Sequence, residues 1–225
     1  MNTIKIMLLA VLLLFFIGCD KNKDNNINSD ETIYGSGRIV SQTRTASECS
    51  GVKVNSTGNV YLTLDTKQSI RIEADDNIID KVIAREENNV LVTGLSSGSY
   101  SNITLKIYVS LKTISQLSIV GAGSIRLQNS ITAGDLGCFI DGAGLIYVKG
   151  TGDYLDCLIN GAGTIDAKDF TVPKCKVVVN GAGVCTVYTT SELDAVINGA
   201  GIIYYYGDPP TVNTSIIGAG QIVKK

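Results

Sequence analysis

The chain has 225 residues, of which 44% are hydrophobic, and a formal net charge of −2, so it can bury a sizeable core and offers no electrostatic basis for binding nucleic acid. It contains no histidine, which removes the side chain most often used for acid–base catalysis near neutral pH and for binding transition metals. Its 24 glycines occur with only 3 prolines and without a Gly-X-Y period, which argues against a collagen-like or a disordered low-complexity chain.

The first 18 residues are typical of a bacterial lipoprotein signal peptide. Lys5 precedes an apolar run over residues 6–17, which is too short to span a membrane as a helix. Residues 16–19, Phe-Ile-Gly-Cys, resemble a lipobox, although Leu is usual at the first of these positions. This pattern predicts acylation of Cys19 and membrane attachment through that anchor. An ordinary secretory signal is the alternative, but no small-x-small cleavage site lies nearby.

A polar segment, residues 19–32, follows the predicted cleavage site. It carries too few apolar residues to order itself against a core, so we expect a disordered tether. The rest of the chain, residues 33–225, is predicted to form one folded domain, with irregular coils over residues 33–118 and regular coils over residues 119–225.

Residues 33–118 contain short alternating apolar segments that are typical of β-strands. Gly35–Gly37 and Ser56–Gly58 resemble degenerate copies of the corner motif found further along the chain, so we expect coils to begin near Ile33. Residues 77–87 place apolar side chains at 78, 79, 82 and 83, which predicts a short helix or an irregular crossover.

The tripeptide Gly-Ala-Gly occurs six times in the rest of the chain, at intervals of 18 to 21 residues. A period near 20 is typical of a solenoid, and the alternation of apolar residues on both sides of the motif indicates two short strands per coil. We therefore predict an all-β fold, a right-handed parallel β-solenoid (β-helix) with a Gly-Ala-Gly corner in each coil and about ten coils. The motifs begin at Gly121, Gly142, Gly161, Gly181, Gly199 and Gly218.

The glycines of the motif are predicted to be structural. Glycine tolerates positive φ, and we expect the alanine to be the small inward-pointing side chain at the bend. A dinucleotide-binding fingerprint would need a third glycine and a P-loop would need Gly-Lys-Ser/Thr, and neither occurs. Calcium-binding nonapeptide repeats need an Asp close behind each Gly-x-Gly, which is found once, at Asp166. We therefore expect no cofactor and no metal.

Two other recurring positions predict contacts between coils. Cys138 and Cys157 both lie four residues before a motif and are predicted to stack on adjacent coils as small apolar core residues, with a disulfide in an oxidising envelope as the alternative. The position just before the motif predicts an amide ladder along the corner, with a binding strip as the alternative. It holds Asp141, Asn160, Asn180 and Asn198.

Tyrosines are the candidate binding residues. Tyr147 and Tyr204 occupy an outward register five residues after the first glycine of a motif, and Tyr206 lies nearby. An exposed strip of tyrosines can stack on sugar rings or contact a protein. Ordinary β-propensity on a solvent-facing surface is the alternative interpretation.

Several segments resemble the auto-transporter adhesin head (GIN) domain family, a domain of unknown function common in Bacteroidota lipoproteins. They occur in the family's order across residues 33–225, and the resemblance implies a β-solenoid in a surface or periplasmic setting without catalytic residues. The segments are residues 58–62, 69–74, 77–80 and 90–92, then 103–111 leading into the first Gly-Ala-Gly, and 205–210 before the last.

The sequence thus predicts a lipid-anchored, non-catalytic envelope protein of the outer membrane, facing the periplasm or the surface, that presents a solenoid to a glycan or protein partner. Two alternatives stay open. One is a purely structural envelope component. The other is a carbohydrate-active β-helix enzyme, either a polysaccharide lyase or a hydrolase, whose first candidate carboxylates are the pairs Asp153/Asp156 and Asp166/Asp169. Scattered carboxylates are, however, usual on protein surfaces.

Overall fold

The computed structural model describes residues 31–45 and 47–225, so the predicted signal peptide and Cys19 lie outside the described residues. The described chain is built from β-strands, with one turn of 3₁₀ helix at Ile79–Lys81. No helix in this part of the chain is long and apolar enough to cross a membrane. In chain order the strands are β1 (Ile33–Tyr34), β2 (Ile39–Arg44), β3 (Gly51–Ser56), β4 (Asn59–Leu64), β5 (Ser69–Asp75), β6 (Val82–Glu87), β7 (Val90–Leu95), β8 (Tyr100–Ser101), β9 (Leu105–Leu111), β10 (Gln116–Gly121), β11 (Ser124–Leu127), β12 (Ile131–Thr132), β13 (Asp135–Gly142), β14 (Leu145–Thr151), β15 (Tyr154–Gly161), β16 (Thr164–Gly181), β17 (Val184–Gly199), β18 (Ile202–Tyr206), β19 (Thr211–Gly218) and β20 (Gln221–Lys224).

Two stacks of parallel strands form the walls of a β-solenoid, as the repeat predicts. The first wall consists of the strands that lead into each corner: β7, β3, β10, β13, β15, the second halves of β16 and β17, and β19. The second wall consists of the strands that leave it: β9, β4, β11, β14, the first halves of β16 and β17, and then β18 and β20. Inward residues of both walls make one continuous core.

The Gly-Ala-Gly corners stack in register because nothing larger than hydrogen fits at their glycines. Gly181 has φ of 126°, and a Cβ there would lie 2.5 Å from the carbonyl oxygen of Gly161 in the preceding coil. That carbonyl accepts a hydrogen bond of 2.9 Å from the amide of Ala182. A Cβ on the second glycine, Gly183, would lie 2.6 Å from Ile159 Cγ2. The same arrangement recurs at each motif.

The expectation that the motif's alanine points inward is wrong. The alanine side chains of all six motifs are exposed, whereas the second glycine faces the core and lies against the isoleucine or valine two residues before the preceding corner. The inward space at the bend is therefore filled by the branched side chain of the neighbouring coil, and the alanine is the residue that faces solvent.

Cysteines of the regular coils are core residues, as predicted. Cys138 and Cys157 occupy the same inward position on adjacent coils and are buried free thiols. A hydrogen bond with the Cys157 thiol, followed by burial, raises the pKa of the Cys138 thiol well above its ordinary value. Burial likewise raises the pKa of Cys175. Neutral buried thiols of this kind pack as small apolar side chains and are poor nucleophiles.

The N-terminal part stacks out of chain order, which the sequence did not predict. The coil made by β3 and β4 turns at Ser56–Gly58, whose carbonyls accept from the amides of Ala122 and Ser124, so this degenerate corner is confirmed. The coil that contains β7 and β9, although later in the chain, lies on the other side of the β3–β4 coil.

The expectation of about ten coils that begin near Ile33 is wrong. The regular part has six Gly-Ala-Gly corners that bound five turns, and the two coils before it bring each wall to eight stacked strands. Gly35–Gly37 is not a corner. Instead, Asp75, a buried carboxylate, accepts from the Gly37 amide at 2.7 Å and from the Thr104 amide at 2.6 Å, which fixes this loop to the end of the solenoid.

Antiparallel strands cover the N-terminal end of both walls. β6 pairs with β7 on the first wall, while β5 pairs with β9 and β2 pairs with β5 on the second wall. The segment predicted as a helix or crossover is the 3₁₀ turn at Ile79–Lys81 followed by β6. Arg44 donates hydrogen bonds to the carbonyls of Ile79 and Val82 and so ties β2 to that crossover. The antiparallel strands satisfy edge groups that would otherwise be open to another chain.

We expect Gly181→Ala to lower the free energy of unfolding by about 3 kcal/mol or more, because the new Cβ meets backbone of the preceding coil in a φ region that suits glycine alone. Ala182→Ser is the matched control on the neighbouring exposed residue and should stay within about 0.5 kcal/mol of the wild type. Urea denaturation measures both. Equal midpoints for Gly181→Ala and the wild type would contradict the close-packed corner.

Candidate functional site

A single outward column on the second wall contains Tyr147 and Tyr204, two of the candidate binding residues. From Tyr61 onward the position lies five residues after the first residue of each corner, and Tyr108 joins the column because it pairs with Tyr61. The residues on either side of the position point into the core in the regular strands. We call this set the tyrosine column. From the N-terminal end of the solenoid it comprises Tyr108, Tyr61, Arg126, Tyr147, Asp166, Thr186, Tyr204 and Val223.

The candidate residues Tyr147, Tyr204 and Tyr206 do not form one contiguous patch. Tyr147 and Tyr204 share the tyrosine column but lie three strand spacings apart, about 14 Å. Tyr147 donates a hydrogen bond of 3.0 Å to Asp169, which holds its ring at the surface. Tyr206 belongs to the neighbouring column, in register with Tyr188. The Lys225 ammonium lies 4.7 Å from the centre of the Tyr204 ring.

The densest aromatic cluster lies at the N-terminal end of the column and was missed from the sequence. The rings of Tyr61 and Tyr108 are stacked with their centres 5.1 Å apart and their planes 20° from parallel. The Arg71 guanidinium, from the antiparallel strand β5, lies over the other face of Tyr108, 4.0 Å from its centre. One signal was available: Tyr61 follows Ser56 by five residues, as Tyr147 follows Gly142.

Glu73 fixes this cluster from one side. Its carboxylate accepts a hydrogen bond from Arg71 and a second, at 3.1 Å, from the Tyr108 hydroxyl. The hydrogen bond from Arg71 lowers the pKa of the Glu73 carboxyl below its ordinary value. Glu73 therefore stays ionised at neutral pH and compensates the charge of Arg71.

An open cleft of about 390 Å³ lies beside the stacked rings. The tyrosines and Arg71 form one side of the cleft, and hydroxyl side chains from neighbouring strands form its floor. This volume lies within the range of small-molecule sites in proteins. The lining residues are Thr43, Tyr61, Thr63, Asp65, Ser69, Ile70, Arg71, Tyr108, Val109, Ser110 and Gln128.

The carboxylate pairs considered for an enzyme lie on different walls. Asp156 is on β15 in the first wall, with Asp153 in the turn before it, whereas Asp166 is on the second wall in the tyrosine column. Asp169 accepts the hydrogen bond from Tyr147. Across residues 31–45 and 47–225, no three His, Cys, Asp or Glu side chains are arranged to hold a metal ion.

The amide ladder beside the corner is confirmed for the three asparagines. Asn180 Nδ2 donates to Asn160 Oδ1, and Asn198 Nδ2 donates to Asn180 Oδ1, both at 2.8 Å. Within the described chain no hydrogen bond joins Asp141 to this ladder. The asparagine side chains thus form hydrogen bonds with one another along the solenoid axis, which favours a structural role over ligand binding.

Comparison with known proteins places the whole domain in one fold. Residues 48–209 match the family described as "Putative auto-transporter adhesin, head GIN domain". No curated protein matches the sequence. Among solved structures, a "putative adhesin" from Bacteroides fragilis is 22% identical, with a TM-score of 0.70 over 86% of this chain and 100% of its own.

Two further structures are similar to this chain. A "putative lipid binding protein" from Parabacteroides distasonis is 22% identical, with a TM-score of 0.56 over 87% of this chain and 100% of its own. A "putative adhesin" from Parabacteroides merdae is 20% identical, with a TM-score of 0.51 over 86% of this chain and 99% of its own. At these identities the similarity establishes the β-solenoid fold, and function has to be argued from the site.

Proposed function

Because the matched region spans more than half of the sequence, this chain belongs to the auto-transporter adhesin head GIN domain family, and we propose that it is a lipid-anchored, non-catalytic adhesin that binds a glycan or protein partner through its tyrosine column. The family indicates a cell-surface or envelope protein. The family and the similar structures are named for adhesion or lipid binding, and none of those names describes an enzyme.

The observation that carries the proposal is the stacked pair Tyr61–Tyr108 with Arg71 over it, beside an open cleft. Tyrosine and arginine, with tryptophan, are enriched among the residues that dominate the binding energy of protein–protein interfaces. The column continues along the solenoid to Tyr147 and Tyr204, so a long ligand has several contact points on one rigid flank. Repeat proteins commonly bind extended partners in this way.

Anchoring through Cys19 supplies the second half of the proposal. Two acyl chains give stable attachment to a bilayer where one chain does not. The polar residues between Cys19 and the folded domain would then hold the solenoid away from the membrane, with its long flank accessible.

We expect Cys19→Ala to release the protein from the membrane fraction of fractionated cells, since the acylated residue is lost. Cys49→Ala is the control, because Cys49 is a buried cysteine of the folded domain and its loss leaves the anchor in place. If the Cys19→Ala protein stays in the membrane fraction in the same amount as the wild type, the anchor is elsewhere.

We expect protease treatment of intact cells to digest the domain. A domain that is protected until the cells are lysed cannot be an adhesin.

We also expect cells that display the domain to bind immobilised glycans or matrix proteins. Alanine at Tyr61, Tyr108, Tyr147 and Tyr204 together should reduce that binding to the level of cells without the protein. Lys176→Ala, an exposed position on the first wall, serves as the control. Unchanged binding by the fourfold variant would exclude the tyrosine column as the binding surface.

A further inference from the structure

We propose that the cleft beside Tyr61 and Tyr108 is a binding site for a neutral oligosaccharide. This proposal rests on the proposed adhesive function and names the ligand class and the place where it binds. The chemistry of the cleft favours a ligand that has many hydroxyl groups, an apolar ring face and no charge, as the following contacts indicate.

The cleft contains neutral hydroxyls that are free to bond a ligand. Thr43, Tyr61 and Thr63 line it, and their hydroxyls have no hydrogen-bond partner among the described residues. Each hydroxyl can both donate and accept, which is what a sugar hydroxyl requires of its partner. The floor hydroxyls of Ser69 and Ser110 already bond one another at 2.7 Å and are preoriented.

The cation that lines the cleft is already compensated, and a carboxylate without an ion-pair partner in the described chain lies beside it, so the cleft does not attract an anion. Arg71 is paired with Glu73, and that carboxylate also holds the Tyr108 hydroxyl. Asp65 lines the cleft with a carboxylate that accepts from the Thr66 amide at 2.6 Å. A phosphate or an acidic sugar would meet Asp65 without an unpaired cation in the cleft lining, whereas a neutral sugar meets no such repulsion.

The aromatic side of the cleft is held in place by its own contacts, without a ligand. Tyr108 is held between Arg71 and Tyr61, and its hydroxyl is fixed by Glu73. Because these side chains are already ordered, binding costs little additional side-chain entropy. Both faces of the Tyr108 ring are covered, so the edges of the stacked rings supply the aromatic carbon on which the C–H groups of a pyranose can pack, while its hydroxyls bond the floor.

The test is saturation-transfer NMR and calorimetry on the full chain in detergent. The probes are the neutral hexasaccharides of cellulose, mannan and laminarin, with hexagalacturonic acid as the anionic probe. We expect at least one neutral probe to bind and the anionic probe to bind at least about tenfold more weakly. Failure of every neutral probe at millimolar concentration, or preference for the anionic one, would overturn the proposal.

Variants locate the binding. We expect Tyr61→Ala and Tyr108→Ala each to lower the affinity for the neutral probe by about tenfold or more. Tyr108→Phe keeps the ring and should retain most of the wild-type affinity. Tyr34→Ala removes an exposed tyrosine that lies on β1, outside the column, and is the matched control that should bind as the wild type does. Equal thermal midpoints exclude unfolding as the cause. If Tyr204→Ala loses binding while Tyr61→Ala and Tyr108→Ala keep it, the column still binds but this cleft is not the site.

Discussion

The close approach of successive corners is the constraint on which the rest of the solenoid depends. At each corner the carbonyl of one coil accepts the alanine amide of the next at 2.8–2.9 Å, and a Cβ on the first glycine would enter that space. Since the coils cannot separate or slip there, every residue at a given distance from a corner lies on the same line as its counterparts. The inward columns become the core, and the outward columns become candidate binding surfaces.

Because of this alignment, tyrosines at equivalent positions of different coils lie on one outward surface. Residues at the same position on adjacent coils lie about 4.8 Å apart, which is a stacking distance for aromatic rings. The cleft exists because the N-terminal coils stack out of order. That rearrangement brings Tyr108 beside Tyr61, and the antiparallel cap strand β5 places Arg71 over the stack. The end cap thus closes the sheet edge and also completes the candidate site.

Much of the fold could be predicted from the sequence because the repeat encodes it locally. The Gly-Ala-Gly period, the alternation around it and the asparagine ladder each depend on neighbouring positions, and the degenerate corner at Ser56–Gly58 shares their spacing. The direction of the corner alanine was not predictable in this way, since it depends on the branched side chain of another coil. Nor was the Tyr61–Tyr108 pair, which requires a crossover that reverses the order of two coils. Gly35–Gly37 resembles the corner motif in sequence, but it forms a loop whose Gly37 amide donates a hydrogen bond to Asp75.

Hydrogen exchange at the corner amides tests the central claim most directly. The alanine side chains of the motifs are exposed, so a loose turn would exchange its amides quickly, whereas amides that bond the preceding coil should exchange only when the stack opens. The account predicts that the amides of Ala143, Ala162, Ala182 and Ala200 are among the slowest in the full chain. Exchange at these four amides as fast as in the exposed turn at residues 97–99 would contradict it.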